Sequence, residues 1–175
     1  MKIFFHHEGH EGCEDKIIMD KREIIVKKVL VTGSGGFIGR NLIEALRRRE
    51  DVEIKTFDIE DNLDRLSAQL KEADIVFHLA GVNRPETVDE FGIGNAGLTR
   101  TIVDILEKAK QNIPIILSSS IQATLDNPYG LSKKKAEDSL IEYSRTNQAK
   151  IYLYRFPNVF GKWCRPNYNS VVATF

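Results

Sequence analysis

The stretch KVLVTGSGGFIGR, residues 28–40, decides the fold of this chain. A short apolar run, residues 29–31, passes through Thr32 into four closely spaced glycines, Gly33, Gly35, Gly36 and Gly39. Beyond them, apolar side chains recur at the i, i+4, i+7 and i+8 spacing of one helical face: Ile38, Leu42, Ala45 and Leu46. The glycines therefore lie at a predicted strand-to-helix turn.

Such a turn has a specific use. A tight turn needs residues without Cβ, and a helix N-terminus offers unpaired N–H groups and a partial positive charge to phosphates. Glycines alone would also fit an ordinary loop, but between a strand and an amphipathic helix they predict a dinucleotide site. We expect cofactor contacts from Gly33, Gly35, Gly36, Phe37, Ile38 and Gly39.

Composition indicates one ordinary globular domain in a chain of 175 residues, 42% of them apolar and 29% charged. Lys plus Arg and Asp plus Glu balance at 25 each, so no net charge favours nucleic acid or an anionic membrane. No apolar run is long enough to predict a membrane span. Two cysteines, Cys13 and Cys164, form no disulfide framework, which predicts a cytoplasmic protein.

Residues 1–27 differ in character from the rest of the chain and predict a poorly ordered extension, with residues 28–175 forming the domain. His6, His7, His10 and Cys13 resemble zinc ligands in type. No second cluster of histidine or cysteine closes the coordination, so we expect no metal.

From residue 28 onward, strand and helix patterns alternate. Strands are predicted at 29–32, 53–57, 75–79, 114–117 and 151–155, and helices at 37–49, 63–71, 95–110 and 128–144. This alternation predicts an α/β fold, a doubly wound parallel sheet of the Rossmann type.

In such a sheet, ligands bind beyond the carboxyl ends of the strands. Asp58 follows the second strand, where a carboxylate can accept the hydroxyls of an adenosine ribose; a solvated turn in an acidic stretch is the alternative. The third strand ends in Leu79, Ala80 and Gly81, and the two small residues there would let a cofactor lie close.

Tyr129 and Lys133 lie four residues apart on a predicted helix and so share a face. An ammonium near a phenol stabilises the phenolate, which makes tyrosine a usable acid or base near neutral pH. The preceding serines, residues 118–120, could bind the same substrate oxygen. Spacing alone leaves open an exposed tyrosine beside a solvated lysine run.

Family resemblance favours the catalytic interpretation. TGSGGFIG, Asp58, HLAG at 78–81, the serine run and YGLSK at 129–133 resemble the extended short-chain dehydrogenase/reductases. The resemblance implies that Tyr129 and Lys133 are the catalytic pair, with Ser120 as the catalytic serine. It also implies cofactor contacts from Asn95 and Pro157.

Three longer stretches, 78–86, 118–137 and 154–175, are similar to the capsular polysaccharide assembling protein family. That family implies reduction of a UDP-linked 4-keto-6-deoxy-N-acetylhexosamine, on the route to UDP-N-acetyl-L-fucosamine, in a homodimer. It places five residues against the nucleotide sugar: Arg84, Asn158, Lys162, Arg165 and Asn167. The alternative for Lys162 and Arg165 is an exposed position on a loop. The resemblance favours NADPH, whereas Asp58 would repel a 2′-phosphate and favours NAD.

The family continues beyond the position of Phe175, through the rest of the reductase to a metal-binding cupin domain. We therefore expect this chain to be the N-terminal part of such a protein, ending inside a helix and incomplete as a reductase. Two alternatives stay open: an epimerase or dehydratase of the same superfamily, and a non-catalytic dinucleotide-binding fragment.

Overall fold

A computed structural model describes residues 25–87 and 89–167 of the chain. Most of the predicted N-terminal extension, with its histidines and Cys13, lies outside the described residues, and so does the predicted helix at Phe175. Within the described ranges, no helix is long and apolar enough to cross a membrane.

Five parallel strands form one sheet in the order β2-β1-β3-β4-β5. The strands are β1 (Lys27–Thr32), β2 (Val52–Phe57), β3 (Ile75–His78), β4 (Ile115–Ser120) and β5 (Ile151–Phe156). The order reverses between β1 and β3, which is where a doubly wound sheet opens a crevice for ligands. The predicted fold class is confirmed.

Helices connect these strands. They are α1 (Phe37–Leu46), α2 (Leu63–Glu72), α3 (Asp89–Phe91), α4 (Leu98–Lys108) and α5 (Pro128–Asn147). A π turn at Gly92–Gly97 joins α3 to α4, and a 3₁₀ turn at Ile121–Thr124 lies between β4 and α5.

Helix α5 begins where the sequence predicts. The side chain of Asn127 accepts a hydrogen bond from the Gly130 N–H at 2.7 Å, and Pro128 fills the first helical position. The helix ends at Asn147, three residues beyond the prediction, because Gln148 adopts a left-handed conformation with φ 56°.

Three predictions need correction. The helix expected over residues 37–49 ends at Leu46, because residues 47 and 48 form a turn. The helix expected over residues 95–110 is found at Leu98–Lys108, because residues 95–97 belong to the π turn, which contains three glycines. The strand expected over 114–117 continues through Ser118–Ser120, because these serines pair in register with Tyr154–Phe156 of β5. Polar residues can continue a strand where a neighbouring strand satisfies their backbone groups.

The core lies between the sheet and its helices. Its fully buried side chains include Leu30, Val76 and Ile115 from the strands and Leu66, Ile102, Leu106 and Leu140 from the helices. Each such side chain contributes about 1.5–3 kcal/mol through burial. This core holds the carboxyl ends of β1, β3 and β4 side by side, and so fixes the edge at which the site lies.

Candidate active site

The glycine turn after β1 is built for close approach. Gly33 has φ 69°, and a Cβ there would lie 2.6 Å from the backbone nitrogen of Ala80. A Cβ on Gly39 would collide with the carbonyl oxygen of Gly33. Gly36 is the N-cap of helix α1 and has no side chain to cap it, so the first N–H groups of the helix are available to an anion. These residues fit the pyrophosphate of a dinucleotide.

A cleft of about 680 Å³ opens at this turn, along the carboxyl edge of the sheet. It is bounded by the glycine turn, the serine end of β4, the first turns of α5 and the segment after β5. Most of the predicted site residues line it: Gly33, Gly35, Gly36, Phe37, Ile38, Gly39, Leu79, Gly81, Ser120, Tyr129, Lys133, Pro157, Asn158 and Arg165. Six do not: Asp58, Ala80, Arg84, Asn95, Lys162 and Asn167.

Tyr129 and Lys133 share a face of α5 and both line the cleft. The Lys133 Nζ atom lies 5.8 Å from the centroid of the Tyr129 ring. Lys133 is only 5% exposed, and burial lowers its pKa to about 8. Within the described ranges its ammonium makes one hydrogen bond, to the carbonyl oxygen of Ser118 at 3.4 Å. This buried cation has donors left for a ligand.

Gly81 lets the Lys133 ammonium occupy this position. A Cβ on Gly81 would lie 2.8 Å from Lys133 Nζ and 2.7 Å from Asn95 Oδ1. Both contacts are too close for an alanine to fit without displacing one of these groups. The absence of a side chain at Gly81 is therefore a requirement of the site.

Ser120 caps the 3₁₀ turn after β4. Its Oγ atom accepts a hydrogen bond from the Gln122 N–H at 3.2 Å, and the residue lines the same cleft as Tyr129. The middle serine of the run, Ser119, instead donates to the buried carboxylate of Glu137 at 2.6 Å. All three serines line the cleft, and Ser120 is the one that caps the 3₁₀ turn.

Asp58 faces the glycine turn. Its Oδ2 atom accepts hydrogen bonds from the Gly35 N–H at 2.5 Å and from Ser34 Oγ at 3.0 Å. Its Oδ1 atom accepts from the Ile59 N–H at 3.2 Å. The contact with ribose stays a prediction, and in this structure the carboxylate organises the turn.

Asn95 is a buried residue of the π turn, and its side chain lies between the segment after β3 and α5. Its Oδ1 accepts from the Val82 N–H, and its Nδ2 donates to Val82 O and to Ser132 Oγ, each at 3.0 Å. The amide therefore ties the segment after β3 to α5, next to Lys133. Its predicted contact with the cofactor is not tested by this geometry.

The five residues expected against the sugar separate into two groups. Asn158 and Arg165 line the cleft. Arg84 donates to the carbonyl oxygen of Asn167 at 3.2 Å, which joins two loops outside it. The Lys162 Nζ atom lies 4.4 Å from the centroid of the Trp163 ring, over a smaller hollow beside α1.

Several lining residues were missed by the sequence analysis: Arg40, Asn83, Gln122, Trp163 and Cys164. They carry no local signature, because the fold alone brings their segments together. Glu137 was also missed, although its position four residues after Lys133 signals the same helix face. It is fully buried, and Arg155 binds it with two hydrogen bonds, of 2.8 and 2.6 Å.

Charge in the cleft is positive. The described residues that line it include the cations Arg40, Lys133 and Arg165 and no aspartate, glutamate or histidine. The described part of the chain also contains no group of three or more His, Cys, Asp or Glu residues that could hold a metal. The arrangement suits anionic ligands and a proton transfer by Tyr129.

The chain is similar in sequence to known enzymes that act on nucleotide sugars. The chain is 49% identical over 148 residues to a UDP-2-acetamido-2,6-beta-L-arabino-hexul-4-ose reductase of Pseudomonas aeruginosa, covering 85% of this chain and 40% of that protein. It is 30% identical to a GDP-6-deoxy-D-talose 4-dehydrogenase of Aggregatibacter actinomycetemcomitans, covering 66% of this chain and 48% of that one. The chain thus spans less than half the length of these relatives.

The chain is also similar in structure to proteins whose structures have been solved. The capsular polysaccharide assembling protein CapF of Staphylococcus aureus superposes with a TM-score of 0.73 at 46% identity, covering 83% of this chain and 40% of that one. A UDP-N-acetylglucosamine 4-epimerase of Bacillus cereus gives a TM-score of 0.66 at 27% identity, covering 81% and 57%. The profile of the NAD dependent epimerase/dehydratase family matches residues 29–175. The chain, with its glycine turn and its Tyr129–Lys133 pair, belongs to the NAD dependent epimerase/dehydratase family within the short-chain dehydrogenase/reductases.

Proposed function

We propose that this chain is the nucleotide-binding part of a cytoplasmic reductase acting in bacterial surface-polysaccharide synthesis. The reaction is NAD(P)H-dependent reduction of the 4-keto group of a UDP-linked 6-deoxy-N-acetylhexosamine, of the UDP-N-acetyl-L-fucosamine type. One observation carries the proposal: a single cleft brings together the glycine turn, Ser120, Tyr129 and the buried Lys133. The reductase at 49% identity supports the choice of substrate class.

The cofactor would be held at two points. The N–H groups at the start of α1 would bind the pyrophosphate, and the ammonium of Lys133 would bind the nicotinamide ribose. When bound, the reduced nicotinamide supplies a hydride to the keto carbon. The choice between NADP and NAD rests on Asp58, whose charge disfavours a 2′-phosphate, against the family preference for NADPH.

The reaction then needs one proton on the former carbonyl oxygen. Tyr129 donates it, and Lys133 favours the resulting phenolate because a positive charge lies 5.8 Å from the ring centroid. Ser120 donates a hydrogen bond to the carbonyl oxygen and holds it in place. A hydride on carbon and a proton on oxygen complete the alcohol.

The UDP-sugar would lie along the segment after β5. Asn158 and Arg165 would contact it inside the cleft, and Arg84, Lys162 and Asn167 in the loops around it.

Dehydration must remove a proton from carbon, for which a carboxylate base is suited. The described lining residues include no carboxylate, which favours reduction over dehydration.

The test uses the complete product of the reading frame that encodes this chain, as a homodimer or in whichever oligomeric state it is purified. Reduced dinucleotide and the keto sugar are mixed with it, and absorbance at 340 nm is followed together with the sugar product. Stoichiometric loss of absorbance supports a reductase. A changed sugar without loss of absorbance identifies an epimerase, and no change of either identifies a non-catalytic protein.

The variant Tyr129→Phe separates catalysis from binding in the same assay. A positioned general acid contributes roughly 10²- to 10⁴-fold, so kcat is expected to fall by a factor in that range. Dinucleotide affinity is expected to stay within about twofold, because the ring still packs against Phe91 at a centroid distance of 5.6 Å. The matched control is Tyr152→Phe, an exposed tyrosine of β5, which should leave both quantities unchanged.

A further inference from the structure

A series of buried hydrogen bonds begins at the glycine turn. The Ala80 N–H donates to Thr32 Oγ1 at 3.3 Å, and Thr32 directly precedes Gly33. Thr32 Oγ1 lies 2.7 Å from His78 Nδ1, and His78 Nε2 lies 2.9 Å from Thr99 Oγ1. The side chains of Thr32, His78 and Thr99 are buried, so water does not compete for these bonds.

The same series continues to helix α5. Thr99 Oγ1 donates to the carbonyl oxygen of Asn95 at 2.8 Å, within the π turn. The Asn95 amide donates to Ser132 Oγ at 3.0 Å, and Ser132 Oγ donates to the carbonyl oxygen of Tyr129 at 2.7 Å. These hydrogen bonds, together with the covalent links between Thr32 and Gly33 and within Asn95, therefore connect the proposed phosphate site to the backbone of the proposed proton donor.

Counting hydrogens fixes the state of the imidazole. Thr99 has one hydroxyl hydrogen and donates it to Asn95, so it must accept from Nε2–H of His78. Nδ1 then accepts from the hydroxyl of Thr32, whose oxygen is free to accept from the Ala80 N–H. Only the neutral ring with its proton on Nε2 satisfies every group. Burial, together with the charge of Lys133, lowers the pKa of His78 to about 3, so the ring stays neutral at working pH.

We propose that His78, as a neutral ring protonated on Nε2, is a positioning residue that fixes the glycine turn to the Asn95 turn and thereby sets Tyr129 relative to the cofactor phosphates. The proposal rests on the proposed function in one respect, the binding of a dinucleotide in the cleft. His78 itself touches neither substrate nor cofactor. Its effect passes through Thr32 on one side and Thr99 on the other.

Thr99 offers the cleanest perturbation, because valine has nearly the same shape. Thr99→Val removes one hydroxyl and leaves both Nε2–H of His78 and the carbonyl of Asn95 without this partner. Thr99→Ser restores the hydroxyl. The matched control is Thr101→Val on the same helix, since Thr101 Oγ1 makes the same kind of bond, to the carbonyl of Gly97 at 3.0 Å, outside the series.

Two readouts test the proposal. The first is the imidazole ¹⁵N spectrum of His78 between pH 5 and 8. A ring that is protonated on Nε2 and does not titrate is expected, and a ring protonated on Nδ1, or one that titrates in this range, overturns the proposal. The second is the affinity for NADH and NADPH, normalised to the folded fraction of each variant.

Thr99→Val is expected to weaken dinucleotide binding by up to about tenfold, because the glycine turn then lacks the buried hydrogen bonds that hold it in its binding geometry. Thr99→Ser and Thr101→Val should remain within about twofold of the wild type. Unchanged affinity in Thr99→Val overturns the role of His78, and so does an equal loss in Thr101→Val. A wild type that binds neither dinucleotide overturns the proposed function itself, which is a different result.

Discussion

Replacing Lys133 by methionine should stabilise the free protein while damaging its site. The ammonium is 5% exposed, and burial lowers its pKa from 10.5 to about 8. In the unfolded chain the ordinary pKa applies, so below pH 8 the folded state carries a desolvated charge. The depressed pKa corresponds to a cost of about 3 kcal/mol at neutral pH, at 1.36 kcal/mol per unit. Methionine keeps the length of the side chain and removes this cost.

The sign of the pH dependence follows from the same pKa. Between about pH 8 and 10.5 the unfolded chain binds the proton that the folded chain has released, so wild-type stability rises with pH. From pH 7 to pH 9.5 the wild type should gain about 2 kcal/mol relative to Lys133→Met. Comparing the two proteins cancels the other groups that titrate in this range.

Urea unfolding at both pH values measures this difference. Lys135→Met is the matched control, because Lys135 lies on the same helix and is not among its buried residues. It should show the wild-type pH dependence. A Lys133→Met protein less stable than the wild type at pH 7, or a difference that does not change up to pH 9.5, would refute the argument that burial dominates at Lys133.

Three other substitutions probe the cleft and its support. Asp58→Ala should raise affinity for NADPH relative to NADH by about tenfold in titrations of both cofactors, since it removes a like charge; an unchanged ratio means that Asp58 does not face the ribose. Gly81→Ala should weaken dinucleotide binding about tenfold, because its Cβ displaces the Lys133 ammonium, and wild-type affinity in a calorimetric titration would contradict that geometry. Glu137→Gln should cost about 2 kcal/mol in urea unfolding at pH 7, because it breaks the pair with Arg155. Burial alone would raise the pKa of Glu137, but its hydrogen bonds hold the pKa below the ordinary value, so the loss should shrink as the pH falls through the range where the carboxyl protonates. A loss that does not change with pH would contradict this.

The sheet could be predicted because each strand and helix carries its own local pattern. The apolar run before Gly33 and the periodic face after it describe a strand and a helix without help from the rest of the chain. Tyr129 and Lys133 were predictable for the same reason, since a spacing of four residues on a helix puts two side chains on one face. The cap at Asn127 fixed where that helix begins.

The parts that escaped prediction depend on contacts between distant segments. The carboxylate of Asp58 accepts from the Gly35 N–H, 23 residues away, and nothing in its local sequence indicates that choice. Glu137 pairs with Arg155 of a later strand, and His78 lies between hydroxyls of β1 and α4. Periodicity gives the face of a helix or strand, but only the packed fold shows which polar partner lies there.

Net transfer of hydride to a keto sugar is best tested by following an isotope. Reduced dinucleotide deuterated on the transferred position of nicotinamide C4 is given to the complete protein with the UDP-linked 4-keto-6-deoxy-N-acetylhexosamine. We expect one deuterium on C4 of the product sugar for each cofactor oxidised, seen by mass spectrometry and NMR. Product without deuterium at C4, or a changed sugar with no cofactor oxidised, would contradict the proposed reduction.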